Sequence, residues 1–435
     1  MSPELVGLSV ILFMLFLMFL GIPIAVSMGL AGVIGYIIVD GAQNTLNMLG
    51  VLSYPTIASY TLSVLPAFLL MGEFADVSGL MEDSYKAANT WLGNLPGGLA
   101  MASIIGAALF SAVSGSSMAC AAIMARIALP TLLDYKYSPT LAAGALAAGG
   151  TLGNLIPPGM GIIFYCMMTE TSIAKLFAAC MLPGILLAAM YIVQIYIQCK
   201  INPSLGPCGG STPWRKKLSA VKDTWVVVLL FTLAIGGIYV GVFTPTEAGA
   251  IGAIGTFLYA LMRKKLNKQN IAQSFKNAAS TSGMAFAIIL GAQILTIFVT
   301  ISGMSAWLTN LVKEFNLSVT GFIVCMMVVY FILGTAMDAI SMLFLTLPFF
   351  IPICAALGID LYWFGVLVIV QMELSGITPP VGMNMFVVAS IGKPRGITMA
   401  MIFRGVLPFC LTMLVFNIIV IAFPQISLVL LSFMK

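Results

Sequence analysis

Two short segments carry the most unusual chemistry in this sequence: GNLIPPG at Gly153–Gly159 and SGITPPVG at Ser375–Gly382. Their paired prolines lie 222 positions apart, each pair in an otherwise apolar stretch. Proline has no backbone N–H and clashes with the carbonyl four residues back, so two in succession interrupt a helix and free the carbonyls just before them. In hydrocarbon an unpaired carbonyl is costly, and a bound cation offsets that cost. Small hydroxyl residues accompany the breaks: Ser111 and Ser114 in FSAVSG, and Ser375 and Thr378 in the second segment. Hydroxyl and carbonyl oxygens are hard ligands suited to Na⁺. A single Pro-Pro kink with a small-residue face is explained as well by close helix packing. A duplicated kink points instead to a binding site, where freed carbonyls take Na⁺ and exposed half-helix N-termini attract an anion.

The ionisable residues inside apolar runs are the next candidates. Asp338 and Glu373 stand in such runs, and either one could pair with a backbone donor or a scaffold residue instead, Glu373 being the more structural of the two. Arg126 marks either a site or merely a cytoplasmic boundary, and Glu247 in TPTEAGA reads as an acid in the first turn of a helix. The chain has no histidine, and its 8 cysteines show no C-x-x-C pair. The commonest general base is therefore missing, and neither a disulfide framework nor a zinc site is indicated. With no H-E-x-x-H and no paired catalytic Asp motif, the pattern argues against an intramembrane enzyme. The net charge of +5 comes from Lys and Arg gathered in short loops, which reads as orientation signals and not as a nucleic-acid face.

The elements that must position these groups are membrane helices. Only 8% of the 435 residues are charged and 61% are hydrophobic, against roughly 25% charged in an ordinary soluble domain. The apolar runs are continuous over about 20 residues, as a spanning helix needs, and do not alternate as barrel strands do. The opening run, Leu5–Val26, lacks a basic flank and a cleavage site and reads as a retained first span. Spans are predicted at 5–25, 24–40, 48–72, 140–168 and 176–198, then at 225–243, 247–262, 278–300, 360–390 and 404–430. The basic connections 200–222 and 263–276 are cytoplasmic by the positive-inside rule, which places both termini outside. SGL at 78–80 matches SGM at 302–304, FSAVSG at 110–115 lies over LGTAMD at 333–338, and the Pro-Pro pairs follow, at offsets of 224, 223 and 222. The chain thus reads as a duplication, residues 1–200 and 224–435 about a linker at 201–223, and an odd number of spans per half inverts the second copy. Residues 97–130 and 320–353 fit as re-entrant hairpins, each preceded by an amphipathic stretch, 72–94 and 302–316, read as an interfacial connector or hinging arm. The expected fold is an all-α polytopic membrane protein, an inverted-topology repeat of about five plus five transmembrane helices with two re-entrant helical hairpins and two broken helices.

At these motifs the sequence resembles the large membrane subunit of the TRAP (tripartite ATP-independent periplasmic) transporters. The matching stretches are GEFADVSGLM, FSAVSGSS, GTLGNLIPPG, TSIAKLFAACMLPG, FTPTEAGA, LGIDLYWFG and GITPPVGMNMF. The resemblance implies an elevator-type, Na⁺-driven importer of a small organic acid anion in the bacterial inner membrane. A periplasmic substrate-binding protein feeds such importers, and a small four-helix membrane subunit, here a separate chain, completes them. It implies two or more sodium ions, one site mapping to Ser111, Ser114, Gly153, Ile156 and Pro157 and a second to Gly334, Ser375, Thr378 and Val381. The implied substrate pocket lies between the hairpin tips, with Asp338, Ser116 and Ser117 as its candidates. Where many members have a serine after the first Pro-Pro, this chain has Gly159. Other readings are a self-sufficient Na⁺/carboxylate symporter and a passive channel. Hairpins that meet at the midplane from both sides favour an occluded site over a continuous pore.

Overall fold

Capping residues fall where the sequence leaves helix starts. Ser172 accepts from the Lys175 N–H at 3.4 Å to open Ile173–Ile201, and the Asp360 carboxylate accepts from the Tyr362 and Trp363 N–H groups at 2.9 Å to open Leu361–Ile377. Thr244 and Glu247 form a reciprocal capping box at the start of Pro245–Met262, with Glu247 accepting from the Thr244 N–H at 2.8 Å. Each such side chain satisfies a donor that the helix itself leaves unpaired.

The computed structural model describes residues 3–209, 213–335 and 337–434. Parts of three expectations, the linker at 201–223, the second hairpin turn and the two chain ends, fall outside the described residues, at 210–212, 336, Met1, Ser2 and Lys435. Every regular element among the described residues is a helix, and none is a strand. Among them, seven helices are long and apolar enough to cross a bilayer, including Ile173–Ile201, Lys268–Ile301 and Met399–Ala422. Shorter apolar helices, Leu5–Phe19, Ile24–Asp40, Gly98–Ser114, Val319–Gly334 and Leu361–Ile377, supply the rest.

The predicted third span, 48–72, is not one helix. Ala42–Ile57 ends, a 3₁₀ turn follows at Tyr60–Ser63, and Val64–Ser78 begins anew. Pro55 removes an N–H inside the first of these helices, and the hydroxyls of Ser53 and Thr56 donate to the carbonyls of Leu49 and Leu52 at 2.7 and 2.8 Å. Those back-bonds compete with the helical ladder just before it stops. The amphipathic stretch predicted at 72–94 likewise divides at Gly79. Its first part completes Val64–Ser78, and only Leu80–Leu92 is the amphipathic helix, matched by Met304–Glu314. The span expected at 225–243 is the second limb of a longer helix bent by 41° between Trp214–Ala220 and Trp225–Tyr239.

Two groups of helices result. Ile24–Asp40 packs along Lys268–Ile301, and Pro245–Met262 along Val64–Ser78. The other group brings together the helix pairs Gly98–Ser114 with Ser117–Asp134 and Val319–Gly334 with Ala339–Leu357, the interrupted helices, and the two long helices that follow them. The first interruption separates Pro139–Gly150 and the short Leu152–Leu155 from Met160–Thr169, and the second separates Leu361–Ile377 from Met383–Gly392. Both Pro-Pro bonds, Pro157–Pro158 and Pro379–Pro380, are cis.

Candidate functional site

Both helix breaks and both hairpin turns open onto one narrow cleft of about 70 Å³. Four helices begin at its wall. Ser116 caps Ser117–Asp134, Gly159 precedes Met160–Thr169, Asp338 caps Ala339–Leu357, and Gly382 precedes Met383–Gly392. The first residue of each helix, Ser117, Met160, Ala339 and Met383, lines the cleft. A helix start carries roughly half a positive charge from its unpaired N–H groups, so four of them direct positive potential into the cleft, opposed by the Asp338 and Glu373 carboxylates of the same wall. None of the described residues lining the cleft is Lys or Arg, and the chain has no His.

A buried carboxylate ties the wall together. Glu373, 2% exposed, accepts on Oε1 from the Ser117 hydroxyl at 2.7 Å and from the Asn154 amide at 2.6 Å. One side chain of the second interrupted helix thereby holds the first hairpin turn and the first helix break. Asn154 is fixed on its other side, where Oδ1 accepts from the Gly161 N–H at 3.3 Å. The sequence offered a backbone donor or a scaffold residue as the partner for Glu373; the partners are two side chains more than two hundred positions away. Asp338 has a local role as well as its place in the wall, accepting from the Ser341 N–H at 3.1 Å and from the Ser341 hydroxyl.

The structure divides the predicted residues between the cleft and the layer behind it. Ser116, Ser117, Asp338, Gly334, Ser375 and Val381 line the cleft. Ser111, Gly153, Ile156, Pro157 and Thr378 do not, while Ser114 lines an adjoining cavity that also reaches Ser116. Around the first break, a methyl group at Gly153 would stand 2.7 Å from the Ser117 backbone nitrogen, so the hairpin turn rests directly on the Leu152–Leu155 stub. The hydroxyl of Ser114 is buried without a hydrogen-bond partner, whereas that of Ser111 donates to the Ala107 carbonyl at 2.7 Å. Pro157 and Pro158 offer no N–H to the Gly153 and Asn154 carbonyls. An orphaned hydroxyl and carbonyls without donors, with no thiolate or imidazole, form a donor set that fits a hard monovalent cation. At the second break, a methyl at Gly334 would stand 2.4 Å from Ser375 Cβ, which brings the second hairpin onto the helix end. There the Ser375 and Thr378 hydroxyls donate at 2.6 Å to the Met372 and Leu374 carbonyls, leaving their oxygen lone pairs free.

Asn154 and Asn384 were missed as site residues although both stand inside the motifs that carried the resemblance. Their signal was a polar amide in an apolar run beside a Pro-Pro break. Five methionines of the wall, Met118, Met160, Met337, Met372 and Met383, gave no signal at all.

Residues 11–426 match the family described as "Tripartite ATP-independent periplasmic transporter, DctM component". The chain belongs to this family. As a large permease of the DctM type it is a multi-pass membrane transport protein and not an enzyme. It is 34% identical over 410 residues to the C4-dicarboxylate TRAP transporter large permease protein DctM of Pseudomonas aeruginosa, covering 93% of each chain. It is 29% identical to the sialic acid TRAP transporter large permease protein SiaM of Vibrio cholerae, covering 86% of this chain and 87% of that one. It is 28% identical to the isethionate TRAP transporter permease protein DctMQ of Oleidesulfovibrio alaskensis, covering 96% of this permease and 65% of that longer chain. In fold, the DctM-type permease resembles the Alcanivorax borkumensis YdaH transporter, with a TM-score of 0.64 at 14% identity over 89% of this chain and 90% of that one. It also resembles Neisseria gonorrhoeae MtrF, with a TM-score of 0.66 at 13% identity over 97% and 95%.

Proposed function

We propose that this permease is a Na⁺-coupled secondary importer of a small organic acid anion that works by an elevator motion. It would act in the bacterial inner membrane with a separate small four-helix subunit and a periplasmic binding protein. The observation that carries the reading is the convergence of four helix N-termini on a cleft without a basic side chain, backed by two clusters of hydroxyls and freed carbonyls. The helix ends take the anion; the clusters at Ser111, Ser114, Gly153, Ile156 and Pro157 and at Gly334, Ser375, Thr378 and Val381 take Na⁺. The names of the relatives speak of dicarboxylates, sialic acid and isethionate, and all three are small organic anions.

The order of elements supports an inverted repeat. An amphipathic helix, a hairpin, an interrupted helix and a long helix follow one another from Leu80 to Ile201 and again from Met304 to Ala422. In the proposed motion the hairpins, interrupted helices and long helices move as one body against the frame of Ile24–Asp40, Val64–Ser78, Pro245–Met262 and Lys268–Ile301, with the amphipathic helices as arms. Counting from the basic loops at 200–222 and 263–276 puts both termini in the periplasm.

Uptake by proteoliposomes holding the permease, its small subunit and the binding protein tests the reading. The expected result is accumulation that collapses when the Na⁺ gradient is dissipated and that stops without the binding protein. Uptake indifferent to Na⁺ refutes the coupling, and undiminished uptake without the binding protein favours the self-sufficient symporter.

A further inference from the structure

Ser114, whose buried hydroxyl has no partner, does not line the anion cleft. It lines a second cavity, of about 270 Å³, set in the seam between the frame and the proposed moving body. The frame contributes Glu73 and Asp76 from Val64–Ser78 and Thr281 from Lys268–Ile301, and the first hairpin contributes Phe110 and Ser114. Ser116, Met118, Met160 and Ile340 belong to the walls of both spaces, so the seam and the cleft are neighbours. A methyl at Gly72 would stand 3.0 Å from the Ser114 carbonyl oxygen, which sets this helix of the frame against the hairpin tip.

Burial increases along the seam toward Ser114. Glu73 and Asp76 are three positions apart and so share a helix face. Asp76 is exposed, Glu73 half-buried and Ser114 only 6% exposed. The open end, where Asp76 stands, is the end read as cytoplasmic. The helix stops at Ser78, and Asp83 just beyond it pairs at 3.1 Å with Arg263 of the basic connection. Glu73 accepts from the Asn277 amide at 2.9 Å through one carboxylate oxygen, which leaves the other for a ligand. No Lys or Arg is among the described residues lining the cavity, and the basic group that acts on Asp76 is Arg126, on the facing hairpin helix Ser117–Asp134. Two carboxylates against one guanidinium leave the seam negative. A narrow space lined by one sign of charge concentrates the opposite ion and repels its own, so the seam suits a cation and disfavours the anion.

Resting on the Na⁺-coupled reading, we propose that Na⁺ exchanges between the cytoplasm and the cluster at Ser111 and Ser114 through this seam. Asp76 and Glu73 form its entry site, and the anion keeps to the cleft.

The route is tested in inside-out vesicles carrying Thr281→Cys, with the exposed Cys208 and Cys325 changed to serine. A membrane-impermeant cationic thiosulfonate is expected to modify the new thiol at least about tenfold faster than its anionic counterpart. Adding Glu73→Gln and Asp76→Asn should erase that preference. Equal rates for the two reagents, faster anionic attack, or modification only from the other face of the membrane overturns the route. Thermal-shift titration of the purified permease with Na⁺, choline keeping the ionic strength constant, tests the entry site. Glu73→Gln and Asp76→Asn are each expected to raise the half-saturating Na⁺ about three- to tenfold, and Arg126→Gln, which removes a competing cation, to lower it. Glutamine at 73 can still accept from Asn277, and Asp76 is exposed, so both variants should fold. Unchanged half-saturation in both acid variants, or a rise in Arg126→Gln, overturns the entry site and leaves the coupled importer standing. A wild-type permease that Na⁺ stabilises no more than choline removes the coupling and this route together.

Discussion

Replacing Glu373 by leucine removes the acceptor that holds two otherwise separate parts of the site. In the native protein Oε1 takes both the Asn154 amide, at 2.6 Å, and the Ser117 hydroxyl, at 2.7 Å, in surroundings where Asn154 is 8% and Ser117 8% exposed. A buried donor stripped of its acceptor costs about 1–3 kcal/mol, so two orphaned donors predict a loss of roughly 2–6 kcal/mol for Glu373→Leu. Ser117→Ala alone removes one bond and leaves the carboxylate its Asn154 partner, a loss of about 0.5–1.5 kcal/mol. In the leucine background the Ser117 hydroxyl is already an orphan, so deleting it is expected to be neutral or favourable. The two changes should therefore be non-additive by about 1–2 kcal/mol. Glu373→Gln keeps an acceptor oxygen of the same reach and should retain most of the stability. The assay is equilibrium unfolding of the purified permease in mixed micelles, followed by tryptophan fluorescence for the wild type, both single variants and the double. Losses that add to within about 0.5 kcal/mol would mean that the bond contributes nothing, and the account of Glu373 as the tie between hairpin and breaks would fail.

Gly153→Ala and Gly334→Ala each force a methyl into a fixed contact, 2.7 Å from the Ser117 backbone and 2.4 Å from Ser375 Cβ, and are expected to cost about 1–3 kcal/mol. Both should also weaken the Na⁺ stimulation of uptake; wild-type Na⁺ dependence in both would remove these positions from the cation sites. Asp360→Ala deletes the cap on Leu361–Ile377 at two bonds of 2.9 Å and should lower stability by about 0.5–2 kcal/mol without changing the Na⁺ dependence of uptake, as unfolding titrations and transport can show side by side. Cys208 is exposed on the connection read as cytoplasmic, so a membrane-impermeant thiol reagent should label it in inside-out vesicles and not in intact spheroplasts; the opposite pattern inverts the topology.

Much of this architecture was legible because membrane depth leaves so few explanations for a broken helix. The two Pro-Pro segments gave the breaks, and the small residues at Ser114–Ser117 gave a turn that lies where 97–130 was expected to reverse. The first-turn acid read at Glu247 follows from local chemistry alone. Hydropathy failed at 48–72 because averaging hides one proline and two hydroxyls that divert the backbone. It failed more instructively at Glu373. A carboxylate in an apolar run announces that something must satisfy it, but Ser117 and Asn154 belong to the other half of the chain, and no local pattern relates residues so far apart. The methionine wall was invisible for the opposite reason: in a chain this apolar a methionine facing a cleft is indistinguishable from one facing lipid.

The absence of basic side chains from the cleft is a consequence of what the proposed motion requires. A lysine or arginine fixed in the moving body would have to cross the membrane interior with the cleft, and in the empty state only carboxylates already engaged within the wall, Asp338 by Ser341 and Glu373 by Ser117 and Asn154, would face it; a charge so poorly compensated carries a large desolvation penalty. Helix starts avoid that problem, since their partial charges belong to peptide dipoles already paired along most of the helix and attract an anion without a full charge of their own. Under the proposed coupling, sodium would supply the full positive charge only when the anion is present, entering at hydroxyls and carbonyls and leaving with the cargo. On this argument, installing a permanent cation at the head of the cleft, as in Ser116→Lys, should separate binding from transport. The anion should bind more tightly and with less need for Na⁺, while net uptake falls because the unloaded body can no longer return. Uptake that persists at the wild-type rate with the lysine in place would show that the cleft does not cross the membrane empty, and the physical case for an elevator would have to be abandoned.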